Sequence, residues 1–63
     1  MRVSTCENSL LFIDPTPKEL EAIVHKAAQR DVLNEPKGVR VYGAPEQLYK
    51  ILHRLSFEYD LEL

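Results

Sequence analysis

Two histidines and one cysteine are the side chains best suited to chemistry near neutral pH. A neutral imidazole can act as a base or bind a metal ion, and His25 and His53 occupy matching positions in two similar segments, PKELEAIVHKA and PEQLYKILHRL. Each lies on the polar side of a predicted helix, and neither has a carboxylate spaced as in the HExxH zinc motif. The sequence therefore favours two solvated histidines. A small-ligand or metal-binding module that uses both histidines is the alternative prediction.

Cys6 is the single cysteine, so the chain forms no internal disulfide. Its neighbours Thr5, Glu7 and Asn8 supply no cation to favour a thiolate, and a nucleophile would also need a base from elsewhere in the fold. We therefore predict no catalytic residue, no metal site and no cofactor, and we expect that the protein is not an enzyme.

The two predicted junctions between a strand and a helix could offer backbone N–H groups to an anion. Proline stands at the start of both helices, at Pro17 and Pro45, where a phosphate-binding loop needs glycines and free N–H groups. The first junction instead has the residues of a capping box, with Thr16 at the N-cap and Glu19 three residues later. The sequence predicts sharp helix starts rather than phosphate sites.

Length and charge limit the classes of protein to consider. A chain of 63 residues is one small domain, 1–63, with a small core, and domains without disulfides or metals commonly gain stability by self-association. A net charge of -2 argues against a nucleic-acid partner, because such proteins usually carry a basic face. No apolar run reaches the ~20 residues that span a membrane, and the N-terminus lacks the pattern of a signal peptide. We expect a cytoplasmic protein that does not enter membranes.

Hydrophobic periodicity predicts the element order β, β, α, β, α, β. The first two strands form a hairpin around Glu7-Asn8, and residues 34–38 form a loop. The first helix runs from Pro17 to about Arg30, and the second begins at Pro45 and ends near Ser56. A last strand is predicted because apolar and acidic residues alternate from Phe57 to Leu63.

These elements predict a small α/β domain with ββαβαβ topology. Strands joined through a helix lie parallel in a sheet, so the four-stranded sheet is expected to be mixed and mostly parallel. A doubly wound sheet with helices on opposite faces is the alternative prediction. We favour the arrangement with both helices on one face, because repeated βα units stack in sequence.

An uncovered sheet face would expose apolar side chains, and such a patch usually marks an interaction surface. Acidic residues of the last strand would line the sheet edge. The sequence therefore predicts a small, non-catalytic interaction or regulatory module that acts as a homodimer, with another protein, or both. The predicted surface comprises Leu11, Ile13, Arg40, Tyr42, Glu58, Asp60 and Glu62.

Overall fold

A computed structural model describes residues 1–27 and 31–62 of the chain. The elements follow the order ββαββα and are β1 (Arg2–Thr5), β2 (Ser9–Ile13), α1 (Pro17–Lys26), β3 (Asp31–Glu35), β4 (Gly38–Tyr42) and α2 (Pro45–Glu58). The four strands form one sheet in the order β1-β2-β4-β3. Every neighbouring pair is antiparallel. The predicted hairpin of β1 and β2 is confirmed.

The prediction of a mostly parallel ββαβαβ sheet is wrong. Asp31–Glu35 is a strand, and it forms a hairpin with β4 through the two-residue connection Pro36-Lys37. Two residues can join only antiparallel strands, since parallel neighbours need a long crossover. Strands β2 and β3 run in the same direction, and the hairpin places β4 between them. Strand β4 therefore runs antiparallel to both.

The predicted C-terminal strand is also wrong within the residues that the structure describes. Helix α2 continues through Glu58, and Tyr59 follows it with an extended backbone. Phe57 is 77% exposed on the outside of this helix, so its apolar character does not mark a buried strand face. Beyond the helix, Glu62 makes a single parallel bridge beside Arg2, and the predicted strand residue Leu63 lies outside the described residues.

Helix α1 ends earlier than the sequence predicts. Its last helical residue is Lys26, and the backbone N–H of Ala27 donates to the carbonyl of Ile23. Residues 28–30, which the prediction assigned to the helix, lie outside the described residues. The chain enters β3 at Asp31.

The hydrophobic core lies between one face of the sheet and the two helices. Both helices contribute buried side chains to it, so both cover the same face. The buried members are Val3, Leu10, Phe12, Ile23, Ala27, Val39, Val41, Leu48, Ile51 and Leu55.

The predicted capping box at the start of α1 is confirmed. The backbone N–H of Glu19 donates to Thr16 Oγ1 at 3.2 Å, and the backbone N–H of Thr16 donates to Glu19 Oε1 at 2.7 Å. The second bond lowers the pKa of Glu19, because it favours the carboxylate form. Helix α2 begins after Ala44, whose backbone is extended like that of Thr16 but whose methyl group cannot accept a hydrogen bond.

The two helix starts allow a matched pair of substitutions. Thr16→Ala is expected to lower the free energy of unfolding by about 1 kcal/mol, because an N-cap acceptor is lost. Ala44→Ser adds an acceptor at a residue that already has N-cap backbone angles, and it is expected to raise the free energy of unfolding by up to ~1 kcal/mol. Urea unfolding followed by circular dichroism measures both. Equal stability of Thr16→Ala and the parent chain would contradict a stabilising role for the box.

Candidate interaction surface

Side chains on the sheet face opposite the helices form a continuous surface, which we call the open face. Successive side chains of a strand point to opposite faces. Leu10, Phe12, Val39 and Val41 enter the core, so the residues between them point away from the helices.

The strand register arranges the open face in three rows that cross the sheet from β1 to β3. The first row contains Arg2, Ile13, Gly38 and Glu35. The second row contains Ser4, Leu11, Arg40 and Leu33. The third row contains Ser9, Tyr42 and Asp31, and Cys6 completes it on the β1 side through a hydrogen bond from its N–H to the carbonyl of Ser9.

A polar network fixes Arg40 at the centre of this surface. Arg40 donates from Nε to Glu35 Oε1 at 2.6 Å and from Nη2 to Glu35 Oε2 at 3.4 Å. Arg40 Nη1 donates to Ser9 Oγ at 3.0 Å and contacts Cys6 Sγ at 3.6 Å. The Glu35 hydrogen bonds raise the pKa of Arg40 further above its usual range. The guanidinium is therefore a permanent cation held in one position.

Apolar side chains surround this network. Leu33 is 54% exposed and Tyr42 is 38% exposed, and Ile13 is half-buried. Leu11 is only 9% exposed, since it lies in the second row between Ser4 and Arg40. The open face therefore combines exposed apolar groups with a prearranged ion pair, a mixture that suits binding to another protein surface.

The structure brings together five of the residues that the sequence predicts for the interaction surface. Leu11, Ile13, Arg40 and Tyr42 all lie on the open face, and Glu62 lies at its edge beside Arg2. Sequence reasoning missed Leu33 and Glu35, because strand β3 was not recognised. The signal for that strand was Val32-Leu33 before a Pro-Lys turn and a second β-prone segment.

Two of the three acidic residues of the prediction, Glu58 and Asp60, do not join the open face. Glu58 is the last residue of α2, and its carboxylate lies 3.6 Å from Lys26 Nζ. The carbonyl of Asp60 accepts a 3.3 Å hydrogen bond from the N-terminal amino group. Glu62, in contrast, pairs through its backbone with the outer edge of β1 in register with Arg2, and it lines a cavity with Arg2 and Ile13, so it extends the first row of the open face. The acidic stripe is not formed, because the helix continues through its first residue.

The two histidines lie on different parts of the helical surface. His25 is exposed on α1 and lines a shallow groove with Lys18, Glu21 and Glu58. His53 is exposed on α2 and packs edge-on against Phe57, with ring centroids 4.8 Å apart. Within residues 1–27 and 31–62, no group of three or more His, Cys, Asp or Glu side chains is placed to hold a metal ion. Ligand or metal binding by the two histidines stays a prediction.

Neither α1 nor α2, the helices in the described part of the chain, is long and apolar enough to cross a membrane. The fold and the open face together define a small two-layer α/β protein, with two helices on one side of an antiparallel sheet. The chain matches no protein-family model, no curated protein and no solved structure. The function must therefore be inferred from the surface itself.

Proposed function

We propose that this protein is a small, non-catalytic interaction module that acts as a homodimer through its open face. The observation that carries the proposal is the exposure of Leu33 and Tyr42 on the side of the sheet opposite the helices. Aromatic residues and arginine are enriched at the centres of protein interfaces. Because Arg40 is already held by Glu35 and Ser9, little side-chain freedom is lost when a partner covers it.

The size of the open face sets the expected strength of the dimer. Four strands of about five residues give a surface of about 19 by 17 Å, from the spacings of strands and residues in a sheet. This footprint of roughly 320 Å² per subunit, or ~650 Å² for the pair, is below the ~1,200 Å² at which standard specific interfaces begin, so we expect a weak, transient dimer that dissociates on dilution, with a dissociation constant well above ~1 μM. A module of this kind suits reversible, regulatory association.

The cytoplasm is the compartment that we propose for this module. Cys6 is exposed and carries a free thiol, and such thiols persist in reducing compartments. The thiol lies on the open face beside Arg40, so covering that face would also protect it.

Tyr42→Glu is expected to weaken the dimer by at least about tenfold, because the interface would lose an aromatic contact and would have to desolvate a carboxylate beside its acidic cross-strand neighbour Asp31. Tyr42 is already 38% exposed, so the fold of the single chain should survive the change. Light scattering across a dilution series measures the mass, and circular dichroism verifies folding.

Tyr49→Glu is the matched control for this experiment. Tyr49 is 70% exposed on α2, on the helical side of the molecule, so its replacement should leave the dimer unchanged. A monomer at every concentration of the parent chain would contradict the proposal. Dissociation by Tyr49→Glu, together with an unchanged dimer in Tyr42→Glu, would also contradict it, because the interface would then lie on α2.

A further inference from the structure

We infer that the two copies pack open face to open face about a two-fold axis that runs parallel to the strands. In this arrangement β1 of each subunit lies over β3 of its partner, and β2 lies over β4. The inference rests on the proposed function and specifies the geometry of that dimer. Charge and side-chain size across the three rows are the observations that carry it.

Two symmetric arrangements bury the whole open face when the sheets pack with aligned strands, as sheets in sandwiches do. An axis parallel to the strands reverses the strand order, so each row faces the same row of the partner. An axis perpendicular to the strands, in the plane of the interface, keeps the strand order. It places the first row opposite the partner's third row. The register of the sheet therefore fixes the residues that meet in each arrangement.

The parallel axis places opposite charges together at both ends of the first row. Arg2, on β1, faces the partner's Glu35, on β3, and the symmetry produces this pair twice. Glu35 already accepts hydrogen bonds from Arg40 of its own chain. Each Glu35 carboxylate would therefore lie between two guanidinium groups, one from its own chain and one from the partner. Glu62, in register with Arg2, would lie at the rim on the far side of Arg2, so each Arg2 would have a carboxylate from each chain beside it.

The same arrangement matches large side chains with small ones. Ile13 faces the partner's Gly38, Leu33 faces the partner's Ser4, and Tyr42 faces the partner's Ser9. Leu11 faces the aliphatic stem of the partner's Arg40. These contacts let the two surfaces interdigitate, as the inner faces of a sandwich do.

The perpendicular axis places like charges together. Glu35 would face the partner's Asp31 twice, and Arg40 would face the partner's Arg40 across the axis. Like charges directly opposite each other oppose association. The matching of large side chains with small ones distinguishes the two arrangements less clearly, because Tyr42 would still face a small residue, the partner's Gly38. Charge therefore decides in favour of the parallel axis.

A thiol cross-linking experiment distinguishes the two arrangements. In Asp31→Cys, the new thiol lies in the third row, where the parallel axis places it opposite the partner's native Cys6. A bis-maleimide linker of about 10 Å, the spacing of packed sheets, should join them between chains. Within one chain these positions lie at opposite edges of the sheet, about 14 Å apart, so the linker should not join them there. We expect the larger part of this variant to migrate as a covalent dimer on a denaturing gel.

Ser4→Cys combined with Cys6→Ser is the matched control. The perpendicular axis brings residue 4 opposite itself in the second row, whereas the parallel axis places it opposite the partner's Leu33. We expect this variant to form little covalent dimer. Circular dichroism and light scattering of both variants, before the linker is added, verify that they fold and associate.

The cross-linking results test the parallel axis, and the mass in solution tests the homodimer itself. Cross-linking of Asp31→Cys without cross-linking of the control supports the parallel axis. Dimers in which the control is cross-linked instead, or in which neither variant is cross-linked, overturn this geometry and leave the proposed homodimer intact. Parent chains that stay monomeric at every concentration overturn both.

Discussion

Phe12→Ala is expected to lower the free energy of unfolding by about 3–5 kcal/mol, the usual cost of removing a buried aromatic side chain. Phe12 is 0% exposed and lies on the inner strand β2, between Val3 of β1 and Val39 of β4. A domain of this length has a total stability on the order of 3–9 kcal/mol. The substitution therefore removes much or all of the stability of the fold.

Phe57→Ala is the matched control, since the same side chain is removed from a residue that is 77% exposed on α2. Its free energy of unfolding should stay within about 0.5 kcal/mol of the parent value. Urea unfolding monitored by far-ultraviolet circular dichroism compares the two variants. Equal losses in both would contradict the position of the core between the sheet and the helices.

Gly38→Ala is expected to cost about 3 kcal/mol or more, because the added methyl group meets backbone rather than flexible side chains. A Cβ atom at this position would lie 1.9 Å from the carbonyl oxygen of Phe12 and 3.2 Å from Cα of Ile13. Both atoms belong to the backbone of β2, so β2 and β4 would have to separate at this end. Thermal unfolding should show a melting temperature lower by about 12 °C or more for a domain of this size.

Gly43→Ala, just beyond the other end of β4, is the control for this substitution. Neither glycine has a positive φ, so the backbone conformation itself tolerates alanine at both positions. We expect Gly43→Ala to change the melting temperature by only a few degrees. A similar small change for Gly38→Ala would show that β2 and β4 do not approach as closely as the structure indicates.

Local chemistry explains which elements could be predicted from the sequence. Thr16, Pro17 and Glu19 define the start of α1 through contacts that span three residues, so no knowledge of the rest of the fold is needed. The hairpin of β1 and β2 is likewise a contact between neighbouring segments. The two-residue period of a strand, combined with the expectation that both helices cover one face, placed Leu11 and Tyr42 together on the uncovered face.

Strand pairing explains why the sheet was predicted incorrectly. Asp31–Glu35 has only two apolar residues, Val32 and Leu33, and it lies at a sheet edge where one of them stays exposed. Such a strand forms because it pairs with its neighbour β4, although its own sequence has too few apolar residues to indicate a strand. When residues 34–38 are predicted to be a loop, the next strand follows a helix directly, and a parallel sheet is the expected result.

Short-range capping and the two-residue period of a strand make the helix starts, the first hairpin and four residues of the open face predictable from the sequence. Long-range strand pairing sets the antiparallel strand order and adds Leu33 and Glu35 to the open face. It also sets the contact of Arg40 with Ser9, which lies 31 residues away in the chain. Strand register brings distant residues together through backbone pairing, and local patterns of side chains do not encode which strands pair.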